Sequence, residues 1–214
     1  ILYLSASTVI TAREFQNRSR LLIYPLILFV MAETIIQVAL PELHVTWLCV
    51  TLLSVLYFIY CSEMWNQLDA LTGLLNQNSY LKQTGGVRCK GGVLVVFDVD
   101  DFKQINDRYG HIQGDLCLAG IAECIKKSYA NFGYCYRIGG DEFCVLLKNG
   151  GNEGRCKQEF LQRLQEKRGE IAFLPTVSYG SAPFSGEDIV KVKDRADQDM
   201  YQYKKERKNR KRLS

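Results

Sequence analysis

Apolar positions are concentrated at the front of the chain and charged positions at its end. Residues 21–40 form a predominantly apolar run of 20 residues, residues 44–60 form a second run of 17, and neither run contains Lys or Arg. A helix of about 20 apolar residues crosses the hydrocarbon core of a bilayer, and Pro41 would break a helix between the two runs. The pattern predicts a transmembrane helical hairpin over 21–60. A buried hairpin in a soluble domain is the alternative, which the lack of basic residues disfavours.

Basic residues flank the first apolar run on one side only. Arg13, Arg18 and Arg20 precede it, whereas the 41–46 loop has no Lys or Arg. Because basic loops stay on the cytoplasmic side, we expect a multi-pass protein of the cell membrane with everything after Tyr60 in the cytoplasm. Glu33 is costly within a bilayer, so it is either functional or faces a partner helix.

The segments on either side of the hairpin have different characters. The chain begins with Ile1, and residues 1–10 resemble the end of an apolar helix, so we expect an N-terminally truncated chain in which 1–20 is the tail of an upstream segment and a cytoplasmic loop. Residues 61–68 are polar and compatible with a helix. They are predicted to continue the second span as a signalling linker.

From Asp69 onward, helical and strand patterns alternate, which is typical of a layered α/β fold. Residues 92–97 are almost continuously apolar, as expected of a buried central strand. Residues 134–147 contain two β-type runs around Gly139 and Gly140, a strong hairpin signal because glycine tolerates positive φ.

Carboxylates follow both of these strand signals. Asp98, Asp100 and Asp101 come at the end of the apolar strand, and Asp141 and Glu142 follow the glycine pair. A carboxylate at a buried strand end is costly unless it meets a cation, and hard divalent ions prefer oxygen ligands. The pattern predicts two carboxylates converging on one metal, as phosphoryl chemistry requires. Alternatively, the 98–101 run is a polar helix start with Asp100 or Asp101 as its cap.

These residues belong to an ordered series of motifs over 69–210 that resembles the GGDEF family of diguanylate cyclases. The motifs are DALTGLLN at 69–76, DVDDFK at 98–103, Asn106-Asp107, Gly110-His111, Gly114-Asp115, GGDEF at 139–143, VSYGSA at 177–182, Ala196-Asp197, Met200-Tyr201 and Lys204. The resemblance implies a nucleotidyl-cyclase or polymerase-palm-like domain over 69–214, with a central mixed β-sheet flanked by helices.

The resemblance also implies the reaction. Family members condense two GTP molecules into cyclic di-GMP and two pyrophosphates, with Mg²⁺ or Mn²⁺, as a homodimer that pairs two half-sites. It implies that Asp98, the Val99 carbonyl and Asp141 bind the metal, that Asp141 is a candidate base, and that Glu142 helps to orient the site. Lys103 matches a position that stabilises the transition state or the phosphates.

Substrate-binding positions follow from the same resemblance. Asn106 and Asp115 match the residues that read guanine in the family. Adenine would leave the hydrogen-bonding groups of these two side chains unpaired, which is why the pair would prefer guanine. His111 is either a further substrate contact or a helix-start residue with local hydrogen bonds. Lys204 and Lys208 match phosphate contacts and share one helix face. For the rest of the terminal basic run we expect solvated surface, or contact with anionic lipid headgroups; its members are Lys205, Arg207, Arg210, Lys211 and Arg212.

The chain departs from the family pattern at several positions. Gln77 stands where Arg is usual, and Lys208 replaces Arg and so loses a bidentate fork. The product-inhibition motif, RxxD, is replaced by Ala130-Asn131-Phe132-Gly133. No inhibitory site is therefore expected.

Three functions are compatible with these residues. The leading hypothesis is a bacterial, membrane-tethered diguanylate cyclase regulated by its membrane region. The second is a catalytically silent domain that binds GTP or a protein partner, which the intact acids disfavour. A nucleic-acid polymerase palm lacks room for a primer–template groove in so short a chain, and no nucleic-acid partner is expected. The eight cysteines include no CxxC pair and predict buried free thiols in a reducing compartment.

Overall fold

The computed structural model describes residues 28, 31–32, 35–36, 38–39, 46–85, 91–148 and 150–213. The chain divides into two compact units, Ile1–Met64 and Trp65–Ser214. Residues 1–20, most of the first predicted span and Glu33 lie outside the described residues. The described residues between 28 and 39 are helical.

Helix α1, Thr46–Trp65, covers most of the second predicted span and part of the predicted linker. Apolar side chains are exposed on all sides of it, namely Val50, Leu52, Val55, Leu56, Phe58 and Ile59. Within the described part of the chain, no helix meets the length and apolar character needed to cross a membrane. The transmembrane hairpin thus stays a prediction.

The second unit contains the remaining helices and strands. They are α2 (Gln77–Thr84), β1 (Gly92–Val99), α3 (Phe102–Tyr109), α4 (His111–Tyr129), β2 (Gly133–Arg137), β3 (Glu142–Leu147), a short 3₁₀ helix (Gly150–Asn152), α5 (Glu153–Glu170), β4 (Val177–Phe184) and α6 (Ile189–Leu213). The predicted strands near 92–97 and 177–182 and the predicted hairpin are all present.

The strands form one four-stranded sheet in the order β2-β3-β1-β4. The apolar strand β1 is central, with Val96 opposite Cys144 on one side and Gly180 on the other. All three strand pairs are antiparallel. The expected mixed sheet is therefore mixed only through an isolated parallel bridge between Leu75 and Tyr136.

Both faces of the sheet are covered, which explains why β1 is apolar without alternation. Because side chains alternate between faces, Val95 and Phe97 pack with α4 and α5, whereas Leu94 and Val96 pack with Ala196 of α6. The domain is an α/β sandwich whose central strand ends at the acidic run.

Helix α6 lies close against β4. A side chain at Gly180 would collide with the backbone of Ala196 and Met200, so glycine is required for this approach. One turn further along, Tyr203 packs on Tyr179 with their ring centroids 4.4 Å apart. These contacts bring the second half of α6 over the end of β1.

The described cysteines carry free thiols, as predicted; they are Cys61, Cys117, Cys124, Cys135, Cys144 and Cys156. Burial raises the pKa of Cys117 to about 11 and that of Cys135 to about 12. Such thiols remain protonated and unreactive at neutral pH.

Candidate active site

Asp98 and Asp141 lie at neighbouring strand ends. Asp98 is opposite Glu142 in the register of β1 and β3. The backbone N–H of Val99 donates to the carbonyl oxygen of Asp141 at 3.1 Å, which continues the pairing by one residue. The structure thus places Asp98 and Asp141, which the sequence predicted to converge on a metal, at adjoining strand ends.

The glycine pair lies in the loop of the predicted hairpin. Ile138 N–H donates to the carbonyl oxygen of Glu142 at 3.0 Å, which closes a loop over 138–142. The hairpin is therefore confirmed, although neither Gly139 nor Gly140 uses the positive φ that glycine tolerates. A side chain at Gly140 would meet nothing within 4 Å. The turn therefore leaves open space beside Asp141.

Arg137 fixes this turn to the first motif. Its guanidinium donates to the Gly140 carbonyl at 2.7 Å and to Asp69 Oδ1 at 3.0 Å. Thr72 Oγ1 donates to the same carboxylate at 2.6 Å. Burial would raise the pKa of Asp69, but the hydrogen bonds from Thr72 and Arg137 outweigh it and hold the pKa below its usual value. The DALTGLLN segment thus holds the acidic hairpin in position through hydrogen bonds.

The end of the same segment is also structural. Asn76 caps α2, because its side-chain oxygen accepts from Ser79 N–H at 3.0 Å. Its amide donates to the Asn66 carbonyl at 2.8 Å. Gln77, where the family usually has Arg, is the first residue of α2.

Asn106 and Asp115 are brought together at the junction of α3 and α4. A side chain at Gly114 would collide with Asn106 Oδ1, so the Asn106 amide lies against the α4 backbone one residue before Asp115. Asn106 is half-buried and Asp115 is exposed. A half-buried amide beside an accessible carboxylate can bind the edge of a base.

Lys103 and His111 are exposed at the starts of α3 and α4. Asp101 is the N-cap residue of α3, as the alternative expected, but it makes no side-chain capping hydrogen bond. Asp101 instead has a left-handed backbone with φ 55°. Strain of this kind in a residue other than glycine is often found at functional sites.

Asp100 is the most enclosed of the acidic residues, with 7% of its surface exposed. Ser178 Oγ donates to one carboxylate oxygen at 2.7 Å, and Thr176 Oγ1 donates to the other at 2.8 Å. Arg207 Nη1 donates to the latter oxygen at 2.9 Å. Burial would raise the pKa of Asp100, but these hydrogen bonds and the charges of Arg207 and Lys204 hold it below its usual value.

Lys204 bridges two carboxylates. Its Nζ lies 2.5 Å from Asp98 Oδ1 and 3.4 Å from Asp100 Oδ1. Burial would lower the pKa of Lys204, but the hydrogen bond to Asp98 and the nearby negative charges raise it. The residue is therefore at the acidic strand end, where it was predicted to meet phosphates. Lys208 also lies on α6, but its side chain is outside the described residues.

For Arg207, the expectation of solvated surface is wrong. Its side chain is only 26% exposed, and it pairs with Asp100 and reaches the Val177 carbonyl at 3.4 Å. The i, i+3 spacing from Lys204 places both cations on one face of α6. The spacing from Lys204 could have identified Arg207 from the sequence. The other basic residues around it, however, made this position indistinguishable from exposed surface.

The oxygen donors fit a magnesium ion. Asp98 and Asp141 carry carboxylates. Val99, which follows Asp98, has a carbonyl oxygen as a further donor, and its N–H pairs with the Asp141 carbonyl. Among the described residues, no group of three or more His, Cys, Asp or Glu is placed to hold a metal. Mg²⁺ commonly binds one or two carboxylates and takes its remaining ligands from phosphates and water. The donor set thus fits a metal that arrives with a nucleotide.

The segment that replaces the product-inhibition motif joins α4 to β2. Ala130 caps the C-terminus of α4, and Gly133 begins β2. A side chain at Gly133 would collide with the Leu146 carbonyl oxygen. An acidic side chain could not be accommodated here without moving the strand pair.

Comparison with known proteins identifies the family of the domain. The family model described as "Diguanylate cyclase, GGDEF domain" matches residues 66–210. Diguanylate cyclase DgcS of Shewanella oneidensis is 32% identical over 154 residues, covering 68% of this chain and 52% of that protein. Diguanylate cyclase DgcZ of Escherichia coli is 29% identical over 165 residues, covering 72% and 55%. The chain spans about half of the length of these relatives.

A solved structure has the same fold. The GGDEF domain of DgcB from Caulobacter crescentus, in complex with c-di-GMP, is 27% identical with a TM-score of 0.51. The likeness covers 65% of this chain and 90% of that one.

Replacing Asp100 by Asn should reveal the pH dependence of the cluster. We expect a loss of about 3 kcal/mol in the free energy of unfolding at pH 7, because Arg207 loses its buried partner. Since the folded pKa of Asp100 is lowered, its stabilisation is present above the ordinary carboxyl pKa of about 4 and disappears as pH falls through the folded value. Urea unfolding at pH 3 to 7 measures this.

The matched control is Asp107→Asn on the exposed surface of α3. It should change the free energy of unfolding by less than about 0.5 kcal/mol throughout. A difference between wild type and Asp100→Asn that stays constant down to pH 3 would contradict the assigned role of the carboxylate.

Proposed function

The chain belongs to the GGDEF family of diguanylate cyclase domains, and we propose that it condenses two GTP molecules into cyclic di-GMP with release of two pyrophosphates. The observation that supports the proposal is the position of Asp98 and Asp141 at adjoining strand ends, beside an open turn. A catalytically silent module would not need this pair of acids together with a cation-bearing helix over it. The reaction is proposed to require a divalent metal and a homodimer.

The base of GTP is assigned to the α3–α4 junction. The Asp115 carboxylate accepts from the N1–H and exocyclic amine of guanine, and the Asn106 amide binds the remaining edge. Gly114 supports this arrangement, because it leaves the space that the Asn106 side chain occupies. Adenine would leave these groups unpaired, and buried unpaired groups are costly. His111, exposed at the start of α4, is within the same junction.

The phosphates are assigned to the space between the acidic strand end and α6. Asp98, the Val99 carbonyl and Asp141 would hold Mg²⁺ or Mn²⁺, which when bound neutralises phosphate charge and acidifies the attacking hydroxyl. Asp141 would accept the 3′-hydroxyl proton, and the adjacent Glu142 would help to hold the metal or to orient the site. Lys103, Lys204 and Lys208 supply positive charge to the phosphates.

One copy of the chain presents one such half-site. Ring closure requires each 3′-hydroxyl to attack the α-phosphate of the other nucleotide, so two copies must face each other. The exposure of Asp115, Glu142 and Lys103 is compatible with a site that is completed by a second copy.

We also propose that residues 21–60 anchor the chain in the cell membrane with the catalytic domain in the cytoplasm, where the membrane region would act as a sensor. Helix α1 supports this, because most of its described apolar side chains are exposed. A helix that is apolar on every side is buried in protein or in lipid.

Asp141→Asn tests catalysis. We expect the purified full chain in detergent to convert GTP to cyclic di-GMP with Mg²⁺, and the variant to lose at least about 100-fold in rate, because both a metal ligand and the proton acceptor are altered. Chromatography of the products measures this. Asp107→Asn is the control and should retain full activity. No cyclic product from the wild type, with GTP binding retained, would favour the silent module.

Added cyclic di-GMP should not inhibit the enzyme through the 130–133 segment, because neither a basic nor an acidic side chain is present there. Initial rates with and without product, at GTP concentrations well above KM, should agree within about twofold. Tight inhibition that maps by crosslinking to Ala130 would contradict this.

The membrane anchor is tested by fractionation. The full chain should sediment with membranes and resist extraction by alkaline carbonate, since an apolar span of about 20 residues inserts stably. A variant that lacks residues 1–60 should stay in the supernatant. Release of the full chain by carbonate would overturn the anchor but not the cyclase activity.

A further inference from the structure

Two carboxylates and two cations meet at the end of β1, and their contacts are unequal. Lys204 touches both Asp98 and Asp100, whereas Arg207 pairs with Asp100 and the Val177 carbonyl. The side chain of Asp98 is 21% exposed and that of Asp100 only 8%. One carboxylate can therefore be reached by a ligand, and the other cannot.

The proposed function requires Lys204 to change partner. In the ligand-free chain it is bound to Asp98, which the metal would take, and the phosphates lie in the same space. When Lys204 moves to a phosphate, it also leaves Asp100. A buried carboxylate without a cation is strongly unfavourable, so Asp100 needs a second positive charge that stays in place.

Arg207 has the properties of that second charge. Its Nη1 hydrogen bond to Asp100 Oδ2 is 2.9 Å, on the oxygen opposite to the one nearest Lys204. Thr176 and Ser178 hold the carboxylate from β4, so the Asp100–Arg207 pair does not depend on Lys204. Arginine stays charged under all ordinary conditions.

We infer that Arg207 is a positioning residue that keeps Asp100 neutralised while Lys204 is released from the carboxylates to bind the phosphates of the nucleotide. This inference rests on the proposed function and deepens it. It divides the basic run of α6 into a residue that exchanges partners, Lys204, and a residue that does not, Arg207. Removing Arg207 should tie Lys204 to Asp100 and thereby weaken nucleotide binding.

The test is a double-mutant cycle on binding, with no turnover. Magnesium and 3′-deoxy-GTP, which lacks the attacking hydroxyl, are titrated by calorimetry into the full chain in detergent. Arg207→Gln should weaken the Kd about tenfold, and Arg207→Lys, which keeps the charge, should stay within about threefold of wild type. In the Lys204→Met background, Arg207→Gln should change the Kd by less than about twofold, because no lysine remains to be released.

Lys205→Gln is the matched control, since it removes one charge from the exposed face of the same helix. It should leave the Kd within about twofold of wild type. Urea unfolding of each ligand-free variant checks that the variant is folded before its Kd is compared with that of the wild type. If Arg207→Gln does not fold, Arg207→Lys is used in its place. A loss of nucleotide affinity of about tenfold or more for Arg207→Lys would then overturn the inference.

The outcomes separate the two proposals. An equal loss of affinity from Arg207→Gln with and without Lys204 would assign Arg207 a merely structural role and overturn this inference alone. Equal effects of Arg207→Gln and Lys205→Gln would do the same. Binding by the wild type with the expected coupling but no cyclic product would overturn the proposed catalysis and leave this inference standing. No binding of the nucleotide by the wild type would overturn both.

Discussion

A carboxylate buried at the end of the central strand has to be neutralised, and much of the second unit is arranged around that requirement. Asp100 is enclosed, and it receives hydrogen bonds from β4 and a guanidinium from α6. These contacts join the sheet to the last helix at one point. The close packing of α6 at Gly180 and the Tyr179–Tyr203 contact place the cations within reach. Without the cluster, β1 would end in uncompensated negative charge.

The same constraint explains how the site is built in two halves. On one side, Arg137 holds Asp69 and the Gly140 carbonyl, which fixes the hairpin that carries Asp141. On the other side, Lys204 and Arg207 hold Asp98 and Asp100. The proposed metal ligands lie at the strand ends that these two sets of contacts hold. Pre-organised groups of this kind lower the cost of binding a highly charged nucleotide.

The amino-acid sequence predicted the parts of this arrangement that depend on local pattern. The apolar run before Asp98 identified the central strand, and the glycine pair identified the hairpin. The turn itself is a loop over 138–142 that is closed by Glu142 and by Arg137, from outside the glycine pair. Composition and spacing alone do not reveal such closure.

Arg207 and the Asp69–Arg137 pair show what a single sequence conceals. Arg207 belongs to a uniformly basic stretch, and only the packing of α6 on β4 distinguishes it from its neighbours. Asp69 and Arg137 are 68 positions apart, so their contact depends on the folded topology. Tertiary contacts of this length have no local signal, whereas strand, helix and motif patterns do.

The central claim is that Asp98 and Asp141 hold a divalent metal together with a nucleotide. Amide NMR spectra of the full chain, titrated with Mn²⁺ and 3′-deoxy-GTP, test it most directly, because a bound paramagnetic ion broadens nearby resonances. The account predicts that the amides of Val99 and Asp141 broaden first, and that Asp98→Asn removes the effect. Broadening centred on another part of the domain, or unchanged by Asp98→Asn, would contradict it.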